Sequence, residues 1–94
     1  MVQKLPAQPE FPYARGEILR LRGGNGDLDA ALNDYFAAAR VGGEPAETHR
    51  GIGLIYRSRH QMPEAKASFE QYLKLAPNAP DSLLIRSYME GPAT

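Results

Sequence analysis

Residues 63–81, PEAKASFEQYLKLAPNAPD, form an amphipathic segment with proline near both ends. Its apolar side chains recur at steps of three and four residues, which places them on one face of an α-helix. Pro63 suits the first helical turn, where its missing N–H costs nothing. Pro77 closes the segment, because proline cannot continue a helix. The stretch therefore predicts one helix, which packs through this face: Met62, Ala65, Phe69, Tyr72, Leu73 and Ala76.

Four further segments carry helical signals. A first helix begins at Phe11, where apolar residues also recur at helical spacing, and it ends at the glycine-rich turn 22–26. Asp27 is a good N-cap for the second helix, and Pro45 opens the third. A fifth helix covers 81–90. Because no strand signal competes, the chain is predicted to be all-α, with two antiparallel helical hairpins and a C-terminal helix.

Composition and charge limit the functions that this chain can have. Its 94 residues suit one domain, and 11 basic residues balance 11 acidic ones, so no global field attracts nucleic acid. The absence of cysteine excludes disulfides and thiolate zinc sites. No apolar run approaches the roughly 20 residues of a membrane span, and the start of the chain has no signal peptide. We therefore expect a soluble protein of the cytoplasm or periplasm, or a domain excised from a longer chain.

The two hairpins match each other when the sequence is shifted by 34 residues. Most matched residues are small or aromatic, and such residues control how closely two helices approach. The matched pairs are Ala31 with Ala65, Tyr35 with Phe69, and Ile18 with Ile52.

This period and these residues resemble the tetratricopeptide repeat, a family of paired helices with a 34-residue period. The second copy, residues 46–79, carries most of the family pattern. Gly53 and Ala65 let two helices approach, and Phe69 fills the space between them. Tyr72 is larger than the family's usual alanine, and we expect it to support the fifth helix. The matching positions are Ile52, Gly53, Tyr56, Ala65, Phe69 and Pro77.

The first copy, residues 12–45, matches the family mainly in its second half. In its first helix Leu19 stands where the family has a small residue. An alternative register places Gly16 there, with about three extra residues in the turn 22–26, and the sequence leaves both registers open. The resemblance implies α-solenoid stacking of the hairpins. The predicted organisation is an extended lead-in over 1–10, a domain over 11–90 with repeats over 12–45 and 46–79 and a capping helix over 80–90, and a tail over 91–94.

No group of residues has the spacing of a catalytic, metal-binding or cofactor-binding site. His49 and His60 lie eleven positions apart, which is not a ligand spacing on one helix. The glycine-rich turn lacks the lysine and the preceding strand of a phosphate-binding loop. The serines lack a nucleophile elbow. We therefore predict a non-catalytic protein without metal or cofactor.

In the resembled family the first helices of successive repeats line a peptide-binding groove. Arginines there suit an acidic or C-terminal peptide of another protein, because the guanidinium binds carboxylates bidentately. A second interpretation is a solvated helix face balanced by Glu17, Glu44 and Glu47. Gly16 and Gly51 occupy two places of the clamp found in chaperone-binding members, so that ligand is not predicted. The groove residues implied by the resemblance are Tyr13, Arg20, Glu47, Arg50, Leu54 and Arg57.

The fifth helix is apolar over more than half of its circumference. One interpretation is a cap on the fourth helix, and the other is a secondary interface with another repeat, domain or subunit, including a homodimer. Two rival functions remain: a structural or oligomerisation piece of a larger protein, and a helical-repeat RNA binder, which the zero net charge disfavours. The interface candidates are Leu83, Leu84, Ile85, Tyr88 and Met89.

Overall fold

The computed structural model describes residues 10–90, and this part of the chain consists of five α-helices with no β-strand. The all-α prediction is therefore confirmed. The predicted lead-in over 1–10 lies outside the described residues except for Glu10, which already belongs to the first helix, and the predicted tail over 91–94 lies outside them entirely. The helices are α1 (Glu10–Arg22), α2 (Asp27–Val41), α3 (Glu47–Ser58), α4 (Met62–Leu75) and α5 (Ser82–Met89).

The helices pack in sequence order. α1 packs against α2, and α3 packs against α4, while α3 also contacts both α1 and α2. α5 packs on α4. Arg15 pairs with Asp34 and Arg22 pairs with Asp27, so α1 and α2 run antiparallel. The first hairpin therefore consists of two antiparallel helices. In the second, only residues 59–61 join α3 to α4 and the two helices pack together, so α4 folds back along α3.

The turn between α1 and α2 differs from the predicted cap. Asp27 is the first residue of α2, and the residue before it, Gly26, has a φ of 79°. The Asp27 carboxylate accepts hydrogen bonds from the Gly24 N–H at 2.9 Å and from Arg22 Nε at 2.6 Å. The prediction of Asp27 as N-cap is therefore wrong, because its side chain closes the turn instead of capping the helix.

The closest approach within each hairpin occurs at a glycine that faces an aromatic ring. A Cβ built on Gly16 would lie 3.0 Å from the ring of Tyr35, and one built on Gly53 would lie 2.5 Å from the ring of Phe69. Both rings are fully buried. Since Tyr35 and Phe69 are equivalent at a shift of 34 residues, Gly16 is the packing equivalent of Gly53. The structure therefore adopts the register with three extra residues before α2.

This register changes which residues of α1 and α3 occupy equivalent positions in the two hairpins. Ile18 matches Ile52 at the simple 34-residue shift, but Ile18 is 63% exposed and Ile52 only 3%. The periodic apolar residues that predict α1 face solvent, because α1 packs through a different face, which carries Gly16 and Leu19. The exposed apolar stripe of α1, as we define it, consists of Phe11, Ala14, Ile18 and Leu21.

Two apolar clusters form the core. The first joins α2 to α3, and the second joins α4 to α5. Tyr56 packs against both clusters and so connects the two hairpins. The buried members are Ala31, Leu32, Tyr35, Ile52 and Ile55 in the first cluster, and Ala65, Phe69, Tyr72, Leu73 and Ile85 in the second.

The described helices are also too short or too polar to cross a bilayer: none of them, within residues 10–90, combines the necessary length and apolarity.

We predict that Gly53→Ala lowers the free energy of unfolding. The added methyl group overlaps the buried Phe69 ring, and overpacking of this kind costs about 1–3 kcal/mol. Over most of that range the cost exceeds the gain of about 1 kcal/mol that alanine brings to a helix interior. Urea denaturation followed by circular dichroism measures the difference.

Gly16→Ala serves as the matched control, because its added Cβ would meet the Tyr35 ring at a longer distance, 3.0 Å. We expect it to cost less than Gly53→Ala. Equal or greater stability of Gly53→Ala relative to wild type would contradict the proposed role of this glycine.

Candidate functional site

Four of the predicted groove residues lie along one side of α3. Glu47, Arg50, Leu54 and Arg57 follow one another at helical spacing, so they share a face of the helix. We call this face the α3 surface. It is the longest continuous row of predicted site residues that the structure assembles.

Two pockets flank the α3 surface. The pocket on the α1 side has a volume of about 290 Å³ and is mainly apolar. The pocket on the α5 side has a volume of about 450 Å³ and carries more charged groups. Their lining residues are Arg20, Gly23, Leu28, Leu54, Ile55 and Ser58 for the first, and Glu47, Arg50, Tyr72, Ala76, Ala79, Pro80 and Asp81 for the second.

Arg20 lies at the first pocket, but its charge is already paired. Its Nη2 lies 3.1 Å from the Glu17 carboxylate, and its Nε donates to the Tyr35 hydroxyl at 3.0 Å. The Tyr35 hydroxyl donates in turn to Glu17 at 2.5 Å. Burial, together with the bond to Glu17, raises the pKa of Tyr35, so the hydroxyl remains a donor. The sequence interpretation placed Glu17 only in a balancing role, although its i,i+3 spacing from Arg20 signals this contact.

Arg50 lies at the second pocket and is also paired. Its Nη1 donates to the Asp81 carboxylate at 3.1 Å, and its guanidinium lies 5.7 Å from the centroid of the Tyr72 ring. The hydroxyl of the buried Tyr72 donates to the same carboxylate at 2.5 Å. Tyr72 therefore anchors the residue that precedes α5, which confirms that it supports the fifth helix. Sequence reasoning missed Asp81 as a site residue, because no short-range spacing relates it to Arg50.

The environment of Asp81 favours its ionised form. Partial burial opposes ionisation, but the hydrogen bonds from Tyr72 and Arg50 together outweigh this effect. The pKa of Asp81 is therefore lowered below its ordinary value of 3.8. The Arg50–Asp81 pair consequently remains charged at neutral pH.

Arg57 differs from the other two groove arginines. Its guanidinium lies 3.9 Å from the centroid of the Tyr88 ring, which is a cation–π contact. Tyr88 itself packs on the buried ring of Phe69 with a centroid separation of 6.1 Å. No carboxylate within residues 11–90 forms an ion pair with Arg57. The cation is thus held in place by an aromatic ring and remains exposed.

Tyr13 belongs to α1 and lies near the Glu47 end of the α3 surface. Its ring centroid lies 6.3 Å from that of Tyr35. Burial raises the pKa of Tyr13, and the nearby carboxylates Glu17 and Glu47 add to this shift. Tyr13 therefore connects α1 with the Glu47 end of the α3 surface.

The predicted interface on α5 divides into two groups. Ile85 is 1% exposed and packs into the core, so in this structure it is part of the cap. Tyr88 and Met89 are partly buried against the same cluster. Of the five predicted residues, only Leu83 and Leu84 are largely exposed, at 80% and 51%.

Three of the other arginines have partners that stabilise the fold. They form ion pairs between or beside helices: Arg15 with Asp34, Arg22 with Asp27, and Arg59 with Asp29. His49 is half-buried, and burial lowers its pKa despite Glu44, whose carboxylate lies 3.8 Å away. Within residues 10–90 no three metal-ligating side chains cluster together.

Comparison with protein-family models, with curated proteins and with solved structures gives no match to this chain. The geometry of the α3 surface and its two pockets therefore carries the functional assignment.

We predict that Asp81→Asn destabilises the protein at pH 7 by about 1 kcal/mol, because it removes the charge partner of Arg50. The folded-state pKa of Asp81 is lowered, so the stabilisation is complete above pH 3.8 and is lost as the pH falls through the folded-state value. Denaturant unfolding of wild type and variant at pH 7 and in acid tests this.

Glu70→Gln on the exposed side of α4 is the control, since it removes a carboxylate without breaking an observed ion pair. A difference between wild type and Asp81→Asn that stays constant in acid would contradict the role of the charge.

Proposed function

We propose that this chain is a non-catalytic helical-repeat module, similar to tetratricopeptide repeats, that binds a segment of another protein along the α3 surface. The observation that carries the proposal is the surface itself. Leu54 is partly exposed and lines the first pocket together with Arg20 of α1. Arg57 stands exposed three residues further along α3, on the Tyr88 ring of α5. Such a row of groups offers a peptide both area and specific anchors.

The repeated packing supports the resemblance to tetratricopeptide repeats. Each hairpin places an aromatic side chain of its second helix against a glycine of its first helix, with Tyr35 against Gly16 and Phe69 against Gly53. α3 lies against both helices of the preceding hairpin. In the proposed architecture the hairpins stack as an α-solenoid, and α5 takes the place of a further first helix.

The chemistry of the surface favours a protein ligand. Arginine and tyrosine are the residue types that most often anchor protein interfaces. A nucleic acid needs unpaired cations along its path, whereas Arg20 and Arg50 already have carboxylate partners. The net charge of zero disfavours a polyanion further.

A random peptide library displayed on phage tests the proposal with the full chain as bait. We predict that wild type enriches peptides, and that Leu54→Ala combined with Arg57→Ala weakens their binding at least about tenfold. Two interface anchors of this kind contribute roughly 1–2 kcal/mol each. Fluorescence polarisation with synthetic copies of the enriched peptides measures the affinities.

Lys66→Ala combined with Lys74→Ala provides the matched control, because both lysines are exposed on α4 and line neither pocket. This control should bind the peptides as wild type does. Circular dichroism confirms that each variant is folded. The proposal fails if no peptide is enriched, or if the Leu54 and Arg57 changes affect binding no more than the lysine changes do.

A second candidate function is assembly into a larger helical array. Ile18 stands four residues after Ala14 and seven after Phe11 on the exposed stripe. In the register of the structure it is equivalent to Ile55. Ile55 is 1% exposed because it packs in the cluster that joins α3 to α2 of the preceding hairpin. The stripe of α1 therefore has the composition of a face that receives another hairpin.

We predict that, if assembly is the function, wild type forms concentration-dependent oligomers that Ile18→Glu abolishes. A buried charge at an apolar contact without a partner strongly disfavours association. Size-exclusion chromatography with light scattering measures the mass. Leu83→Glu tests whether the oligomer forms through α5 instead of α1, because Leu83 is exposed on α5. Ala67→Glu is the control, because it adds the same charge at an exposed position of α4. A monomer at all accessible concentrations excludes self-assembly.

A further inference from the structure

Most of the charges on and around the α3 surface neutralise each other. Glu17 pairs with Arg20, and Asp81 pairs with Arg50. Among residues 11–90, the two ionised side chains of the α3 surface that take part in no ion pair are Glu47 and Arg57. A ligand therefore meets one negative and one positive group rather than a row of arginines.

The two groups occupy opposite ends of α3. Glu47 is the first residue of the helix, and Arg57 is in its last turn. Each charge sits at the end of the helix where the helix dipole stabilises a charge of that sign. They are ten residues apart, which corresponds to about 15 Å along the axis at a rise of 1.5 Å per residue. An extended peptide covers that distance in about four or five residues.

The surroundings of each charge match a ligand group of opposite sign. Glu47 lines the second pocket together with Asp81, so the pocket has a net negative lining although Arg50 also faces it. Arg57 is held on the Tyr88 ring and stays exposed to an incoming carboxylate. Both ends of the surface are therefore prepared for a charged group.

An apolar site lies between the two charges. Leu54 stands between Glu47 and Arg57 on the same face of α3. It borders the first pocket, whose lining includes Leu28 and Ile55. A side chain of the ligand placed between its two charged groups reaches this apolar lining.

We propose that the α3 surface selects an extended protein segment with a fixed charge order. The segment carries a cationic side chain that binds beside Glu47, an apolar side chain that binds at Leu54, and a carboxylate that binds Arg57 four or five residues from the cation. The carboxylate belongs either to an acidic side chain or to the C-terminus of the segment. This inference depends on the proposed function, and it replaces the uniformly acidic peptide predicted from the arginines alone.

The test exchanges the two charges of the protein and of the ligand. Peptides enriched by wild type are synthesised as such and with their cationic and anionic residues exchanged. Each is made with a free and with an amidated C-terminus. Fluorescence polarisation compares their binding to wild type, to Glu47→Arg combined with Arg57→Glu, and to the neutral variant Glu47→Gln combined with Arg57→Gln.

We expect wild type to prefer the original peptides about tenfold, because exchange converts two attractions into two repulsions. The charge-exchanged protein should prefer the exchanged peptides by a similar factor, and the neutral variant should prefer neither. Added salt should reduce both preferences. Loss of binding on amidation assigns the carboxylate to the C-terminus, and retention assigns it to a side chain.

Enriched peptides without this charge order, or equal binding of both peptide sets to all three proteins, would overturn the inference while the peptide-binding function stands. Absence of any enriched peptide would instead remove the proposed function itself. Circular dichroism of the three proteins separates these outcomes from loss of folding, since Arg57 is exposed and Glu47 forms no observed ion pair.

Discussion

The fold depends on the buried ring of Tyr35, a residue of α2 whose side chain packs against both α1 and α3. The ring contacts Gly16 of α1 on one side, and a Cβ built on Gly51 of α3 would overlap it on the other. Two glycines therefore set the distances from α2 to both neighbouring helices. A larger residue at either position would separate the helices, because a packed interior has no spare volume for even one additional carbon atom.

The same tyrosine also determines which charges are available at the surface. Its hydroxyl cannot stay unpaired in a buried position, and it recruits Glu17 and Arg20. Tyr72 repeats this arrangement in the second hairpin, where its hydroxyl meets Asp81 and Asp81 pairs with Arg50. Two arginines that resemble ligand-binding groups are thus partners of structural tyrosines. Phe69 has no hydroxyl, and nearby Arg57 stays without a carboxylate partner in the described part of the chain.

The second hairpin could be predicted in detail, whereas the first could not. Gly53, Ala65 and Phe69 have the spacing that resembles the helical pair of a tetratricopeptide repeat. The structure buries all three residues. In α1 the apolar residues that recur at helical spacing are those of the exposed stripe. Periodicity alone therefore predicts that this face is buried, whereas α1 packs through a different face. Gly16 and its packing partner Tyr35 lie on either side of the glycine-rich turn in the sequence. Residue spacing does not specify the length of that turn, so it does not specify which residue of α1 meets the ring.

By itself the sequence determined the five helices and the residues along one face of α3, because helix propensity, proline and glycine positions and a period of 3.6 residues act locally. Only the tertiary structure decided the register of α1 and the partners of the arginines. Those features depend on contacts between residues far apart in the chain, such as Arg50 with Asp81 and Tyr35 with Gly51. The charge order of the α3 surface follows from these distant pairings, since among residues 11–90 they leave Glu47 and Arg57 as the charged groups of that surface that take part in no ion pair.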